Sequence, residues 1–355
     1  MRASQEQHGI ERVFANKHFT RWLTHLKWIS LYPPAPEPDS YFAGEEAFDA
    51  FLQASAVKGL PELLVRSLSV RDDGAGVLEV LCRIAAEHRE DLARYPALAA
   101  AMAVVWDQPV PDAWPHPNVA YEAIPVGDAD PAKRFAYYVA AAGAGKLMID
   151  PRSLSVRELT FVIDTPVELR ELAYVSQVDL SNISKLESLY RAIAYDHGRI
   201  AGKRYVWPGG KYRLIDIGKK GGICMDQAYF VAHAGKAKGI PTVLFTGQGR
   251  SGDHAWVGYL TGRGRWTLDA AKWRGENYPT GHAFDPQTWD TFTDAQMEYA
   301  IKSQGDSPSV ARGRLILGWA ALNDDQASYP ALLGAAAAAM PRSFEPWLLR
   351  AEWLA

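Results

Sequence analysis

Cysteine is nearly missing from this chain: Cys82 and Cys224 are the two among 355 residues. Two thiols cannot build a disulfide framework, so both are read as free and stability has to come from a packed core. Long apolar runs are missing as well, and nothing approaches the ~18–20 residues of a membrane-spanning helix. There is no excess of positive charge. The formal net charge of -3 offers no basic face to offset nucleic-acid phosphates. The nine histidines do not pair with Cys, Asp or Glu at metal-ligand spacing, so no metal or other cofactor is expected. The opening MRASQEQHGIERVF has no apolar signal-peptide segment, which favours a cytoplasmic location unless a leader has been removed.

What is present is an ordinary globular composition, 48% hydrophobic and 22% charged, over a length that suggests two or three domains. Residues 1–44 pass from polar to aromatic to proline-rich (LYPPAPEPDS, 31–40) and read as an extension or linker around one short helix. Residues 45–150 read as a helical accessory domain. In VLEVLCRIAAEHREDLARYPALAAAMAVVW apolar residues recur at three- and four-residue spacing with a break near Pro96, which makes Cys82 an inert core residue. The proline-rich DQPVPDAWPHPNV (107–119) is a loop or domain edge.

Residues 151–300 form the core unit. Leu186, Leu189, Tyr190, Ile193, His197 and Ile200 mark one helical face with Ser184 as N-cap, and KYRLIDI reads as a short strand. A helix begins at Cys224 and closes at Gly239, with Pro241 just beyond. PTVLFT, HAWVGYL and RWTLD follow as strands, the last two joined by a turn at Gly262 and Gly264. Residues 301–355 are helical again. Trp319 and Trp353 lie 34 positions apart, as do Leu315 and Leu349, a period that suits tetratricopeptide-type hairpins and a protein partner. The closing LLRAEWLA stops inside an amphipathic pattern, which hints at a longer parent chain.

Two phosphate-loop lookalikes fail. GQGRSG (247–252) matches a dinucleotide fingerprint, but DHAWVGYL after it alternates as a strand where a helix N-terminus must bind pyrophosphate. AGAGKL (142–147) has Leu147 where Ser or Thr must hold magnesium. What survives is Cys224 at a helix start after Gly-Gly, where the dipole and unpaired N–H groups favour a thiolate. With it come His254 opening a strand and Asp269 closing the next. A thiol nucleophile needs a base, and the base needs a third group to fix its tautomer. A turn near Gly262 sets His254 and Asp269 roughly opposite each other, within reach of an imidazole–carboxylate hydrogen bond. The register is open to slippage.

GGICMDQAYFVAHAGKAKGIP, HAWVGYL and RWTLD together resemble the core of the transglutaminase-like superfamily, over about residues 184–295. The resemblance implies an α+β, papain-like core with the Cys-bearing helix packed on an antiparallel sheet and a Cys224–His254–Asp269 triad. The helical regions on either side resemble the accessory regions of uncharacterised bacterial members. The calcium-binding modules of the animal enzymes have no counterpart. The implied chemistry is acyl transfer or amide hydrolysis through a thioester, on a protein, peptide or other amide. Of the two oxyanion donors required, the Cys224 N–H is one, and Trp207, Tyr205 and Gln177 are candidates for the other, with Trp207 slightly preferred. Asp226 complements the helix dipole but opposes a thiolate. Gln227 either orients substrate or is exposed, Trp256 either walls the site or packs in the core, and DPQTW (285–289) with Gly281 reads as a loop over the same end of the sheet. Two rivals stand beside this reading. One is an arylamine N-acetyltransferase-like enzyme, against which the G-I-P and H-A-W runs argue. The other is a non-catalytic scaffold with a relict triad.

Overall fold

A computed structural model describes residues 14, 50, 53–69, 71–125, 130–208, 210–250, 252–273, 280–303, 308–322 and 327–354. The extension expected over 1–44 lies outside them apart from Phe14, which is buried. The first half is helical: α1 (Leu60–Ser67), α2 (Gly74–Glu87), α3 (Arg89–Arg94), α4 (Pro96–Val105), α5 (Pro131–Gly143), α6 (Val156–Ile163) and α7 (Leu169–Val175). Local chemistry sets their starts. Prolines open α4 and α5, where the missing N–H has no intrahelical partner anyway. Asp73 and Asp130 cap α2 and α5, and Ser155 with Glu158 forms a capping box on α6. Cys82 sits half-buried against the core beside the apolar face of α2.

The continuous face expected from Leu186 to Ile200 is broken into α8 (Lys185–Ala192) and α9 (His197–Ala201). Asp196 causes the restart by accepting the backbone N–H of Arg199, and the intervening chain pairs with Gly222 through Tyr195 in a parallel bridge. Ser184 makes no cap hydrogen bond; its hydroxyl turns to Asn182. The strand expected at KYRLIDI is instead α10 (Leu214–Lys220), because Leu214 and Ile217 bury at helical spacing and Glu171 takes the N–H of Leu214.

The helix α11 (Cys224–Ala237) is buried along its whole length, between α7, α8 and α10 on one side and the sheet on the other. It closes as expected at Gly239, whose φ of 73° only glycine holds without strain. Gly235 lets the helix approach the sheet, since a Cβ there would lie 2.3 Å from the Thr242 hydroxyl. The sheet is open, antiparallel and five-stranded, in the order β3-β2-β1-β4-β5. It comprises β1 (Thr242–Gly249), β2 (Gly252–Gly262), β3 (Arg265–Ala270), β4 (Gly281–Phe284) and β5 (Thr291–Thr293). The chain is therefore α+β. Gly247, Gln248 and Gly249 lie on β1 and Gly252 on β2, with Gly249 paired to Gly252, so the lookalike leads into a strand and not into a phosphate-binding helix. Gly247 and Gly281 lie where a Cβ would strike the Trp256 ring.

Gly281 and DPQTW turn out to be β4 and the turn to β5. That turn faces the N-terminal helices: Arg157 holds Asp285 at 2.6 Å, and Gln287 donates to the Ser67 carbonyl at 2.8 Å. Helices α12 (Asp294–Ser303), α13 (Pro308–Leu322), α14 (Tyr329–Ala339) and α15 (Glu345–Leu354) complete the described chain. Helices α13 and α14 pack as a hairpin, closely enough that a Cβ on Gly313 would meet Met340 at 2.3 Å.

Candidate active site

The Gly-Gly pair before Cys224 has a backbone explanation. Gly221 has φ 78°, and a Cβ there would lie 2.2 Å from the Ala194 carbonyl oxygen; at Gly222 it would lie 2.4 Å from the Asp226 side chain. Both residues are pressed against the 194–196 segment, with Gly222 N–H donating to Ala194 O at 2.9 Å and Asp196 N–H to Gly222 O at 3.0 Å. Asp226 fixes the turn from inside the helix by accepting the N–H of Ile223 at 2.8 Å. It also accepts the Tyr212 hydroxyl at 2.9 Å and Arg199 at 2.5 Å, in an ion pair sealed from solvent. Burial pushes the Asp226 carboxyl up from its ordinary range, against the pull of Arg199, the Ile223 N–H and Tyr212.

Cys224 is 6% exposed at the first position of α11. Burial raises its thiol above the ordinary value; the backbone N–H groups of Ala255, Met225 and Cys224 itself work against that rise, and the Asp226 charge adds to it. Desolvation therefore outweighs the helix N-terminus that was expected to favour thiolate. The Ala255 N–H brings the sulfur to β2 at the residue directly after His254. Tyr190 clamps the two elements: its hydroxyl lies 2.7 Å from the Ala255 carbonyl and 3.2 Å from the Cys224 carbonyl, and its ring lies 6.4 Å from that of His254.

His254 is 1% exposed. Its Nε2 lies 2.9 Å from the Ala271 carbonyl oxygen, which can only accept, so the proton of the neutral ring is assigned to Nε2 and Nδ1 is the basic nitrogen. Burial lowers the imidazole's affinity for a second proton, and the Ala271 bond works in the opposite direction. Trp273, 43% exposed, stacks on the imidazole at 4.2 Å, and the Trp256 ring lies near-parallel to it at 6.3 Å.

The expected pairing of His254 with Asp269 is not made. Val257 pairs with Ala270 and Tyr259 with Thr267, so Leu268 and Asp269 share a bulge opposite Gly258. The bulge and the irregularity at Thr261 offset each other, and the turn is what separates the two residues. Gly262 still pairs with Arg265, so the chain reverses at Arg263 and Gly264 and Asp269 comes level with Gly258, four residues along β2 from His254. Asp269 is exposed and accepts the Thr267 hydroxyl at 2.7 Å, while the Ala271 carbonyl takes the imidazole.

The remaining candidates separate. Trp207 is buried against Tyr212, with the Arg199 guanidinium over its ring at 5.6 Å. Tyr205 and Gln177 are exposed. Gln227 is buried rather than exposed and donates to the Ile193 carbonyl at 2.7 Å, bracing the end of α8. Trp256 packs in the core, in a different apolar cluster from Cys224, with its indole N–H on the Leu268 carbonyl at 2.9 Å. Sequence reasoning passed over Tyr195, Trp273, Ala271 and Arg199. For Tyr195 a signal existed, since Asp196 is a good N-cap in the middle of an apparently unbroken helix.

Among the described residues no His, Cys, Asp and Glu cluster could hold a metal ion, and no helix is long and apolar enough to cross a membrane. No family model, curated protein or solved structure matches this chain.

Proposed function

We propose that this chain is a cysteine acyltransferase or amidohydrolase of the transglutaminase-like kind, working through Cys224 and His254. One observation supports this above the others: Tyr190 ties the two residues together, its hydroxyl on the carbonyls of Cys224 and Ala255 and its ring 6.4 Å from that of His254, whose Nε2 is already engaged by a carbonyl. In the reaction, Nδ1 of His254 takes the thiol proton as sulfur attacks an amide carbonyl carbon. The C=O π pair moves to oxygen, facing the Cys224 N–H. Collapse expels the amine, which leaves with the proton held by His254, and a thioester remains. Water or a second amine then attacks the thioester, and sulfur recovers its proton. The Ala271 carbonyl holds the ring in place of the carboxylate of a Cys–His–Asp triad.

A non-catalytic scaffold is favoured by a different observation, the burial of both the thiol and the imidazole, the latter beneath Trp273. Acylation by p-nitrophenyl acetate, followed by intact mass, separates the two. An enzyme forms an acetyl adduct on Cys224 that is lost in Cys224→Ala and strongly slowed in His254→Ala. Equal rates with and without His254 would leave the scaffold reading standing.

A further inference from the structure

The break between α8 and α9 has a chemical consequence at the nucleophile, one that rests on the function proposed above. Tyr195 forms the parallel bridge with Gly222, two residues before Cys224, so its position relative to the nucleophile turn is set by backbone hydrogen bonds on both sides. Its ring packs against the apolar cluster that contains Ile223, Cys224 and Met225, and meets the His197 ring edge-on at 5.0 Å. The residue is only half-buried, and among the described residues its hydroxyl has no hydrogen-bond partner. The charge of a Cys224 thiolate nonetheless reaches this hydroxyl and, after burial, helps to hold its proton on. Trp207, the donor expected from the sequence, is packed with Arg199 and Tyr212 instead.

We infer that the Tyr195 hydroxyl is the second oxyanion donor, acting with the backbone N–H of Cys224 on an acyl substrate. When sulfur bonds to the carbonyl carbon, the π pair becomes a lone pair on oxygen, and the Tyr195 O–H donates to that oxygen without giving up its proton. The leaving group departs as the C=O bond re-forms, and the hydroxyl returns to solvent.

The experiment compares two reactions of the same sulfur in the full chain. Acylation by p-nitrophenyl acetate passes through an oxyanion, whereas displacement of iodide from iodoacetamide does not. Both rates are followed at Cys224 by mass spectrometry, with Cys224→Ala as background, for wild type, Tyr195→Phe and Trp207→Phe. In Tyr195→Phe acylation should fall about 10²-fold, the scale of one lost oxyanion donor, while alkylation stays at the wild-type rate. An equal fall in both reactions would make Tyr195 structural and overturn the assignment. So would unchanged acylation, or a selective loss in Trp207→Phe alone. A wild-type Cys224 inert to both reagents would sink the proposed function itself and this inference with it, an outcome distinct from the other three.

Discussion

A thiol at the first position of a helix is pulled two ways, by N–H groups that favour its anion and by burial that opposes it. At Cys224 burial wins, and at His254 burial opposes the cation, so the resting pair is thiol and neutral imidazole. Alkylation of Cys224 by iodoacetamide should therefore keep rising with pH beyond the ordinary thiol value of ~8.5. Cys82, pushed up to about 11 by burial alone, supplies the comparison. A plateau for Cys224 below neutral pH that disappears in His254→Ala would mean a preformed ion pair and would refute the neutral resting state. Asp269 makes a second test at this scale. A triad carboxylate replaced by its amide costs roughly 10⁴ in turnover. Here the imidazole is held by the Ala271 carbonyl, so Asp269→Asn should change Cys224 acylation by less than about tenfold, well short of that triad cost. A drop of thousands would show that Asp269 reaches His254 during reaction.

At the scale of elements, the nucleophile is placed by a turn packed on two sides. Gly221 and Gly222 fit between the Ala194 carbonyl and the Asp226 carboxylate, leaving no room for a methyl group. Gly222→Ala should cost about 1–3 kcal/mol in urea denaturation, the usual range for overpacking. The added methyl pushes on Asp226, so the Arg199 pair and the Ile223 N–H bond should loosen with it. An unaltered midpoint would mean that the turn yields easily. Much of this region was legible in the sequence: the start and end of α11, the first three strands and the Gly264 turn all follow from glycine, proline and period-two patterning. The misreadings have physical causes. KYRLIDI is too short for periodicity to separate strand from helix, and tertiary burial of Leu214 and Ile217 decides for helix. The Leu186–Ile200 face is interrupted by pairing with Gly222, a contact distant in sequence. Gly262-Arg263-Gly264 signals a turn without saying which pair of residues closes it; Gly262 still pairs with Arg265, so the reversal falls later than a turn at Gly262 and the partner of His254 was misplaced.

For the molecule as a whole, one apolar core joins regions that composition had separated. The largest apolar cluster takes in residues from Leu60 in α1 through Tyr138, Leu172 and Tyr229 to Leu333 in α14, so the N-terminal helices, the Cys-bearing helix and the C-terminal hairpin share one core. Polar ties reinforce it. Arg134, almost completely buried, donates to the carbonyls of Thr165, Pro166 and Val167 and lies 5.0 Å over the Trp106 ring. Trp289, in the turn between β4 and β5, donates to the Val105 carbonyl at 3.3 Å and meets Trp106 edge-on at 6.5 Å. A core continuous in this way should unfold as one unit even though the chain is long. Trp289→Ala removes a large buried ring at the junction of sheet and helices and should cost about 3–5 kcal/mol. Far-UV circular dichroism and tryptophan fluorescence should then shift together to lower urea, each still as a single transition. If only one signal moved and the other kept its wild-type midpoint, the helical region and the sheet would be separate folding units. The shared apolar cluster would then be a contact between domains, and the N-terminal helices could be removed without unfolding the nucleophile's surroundings.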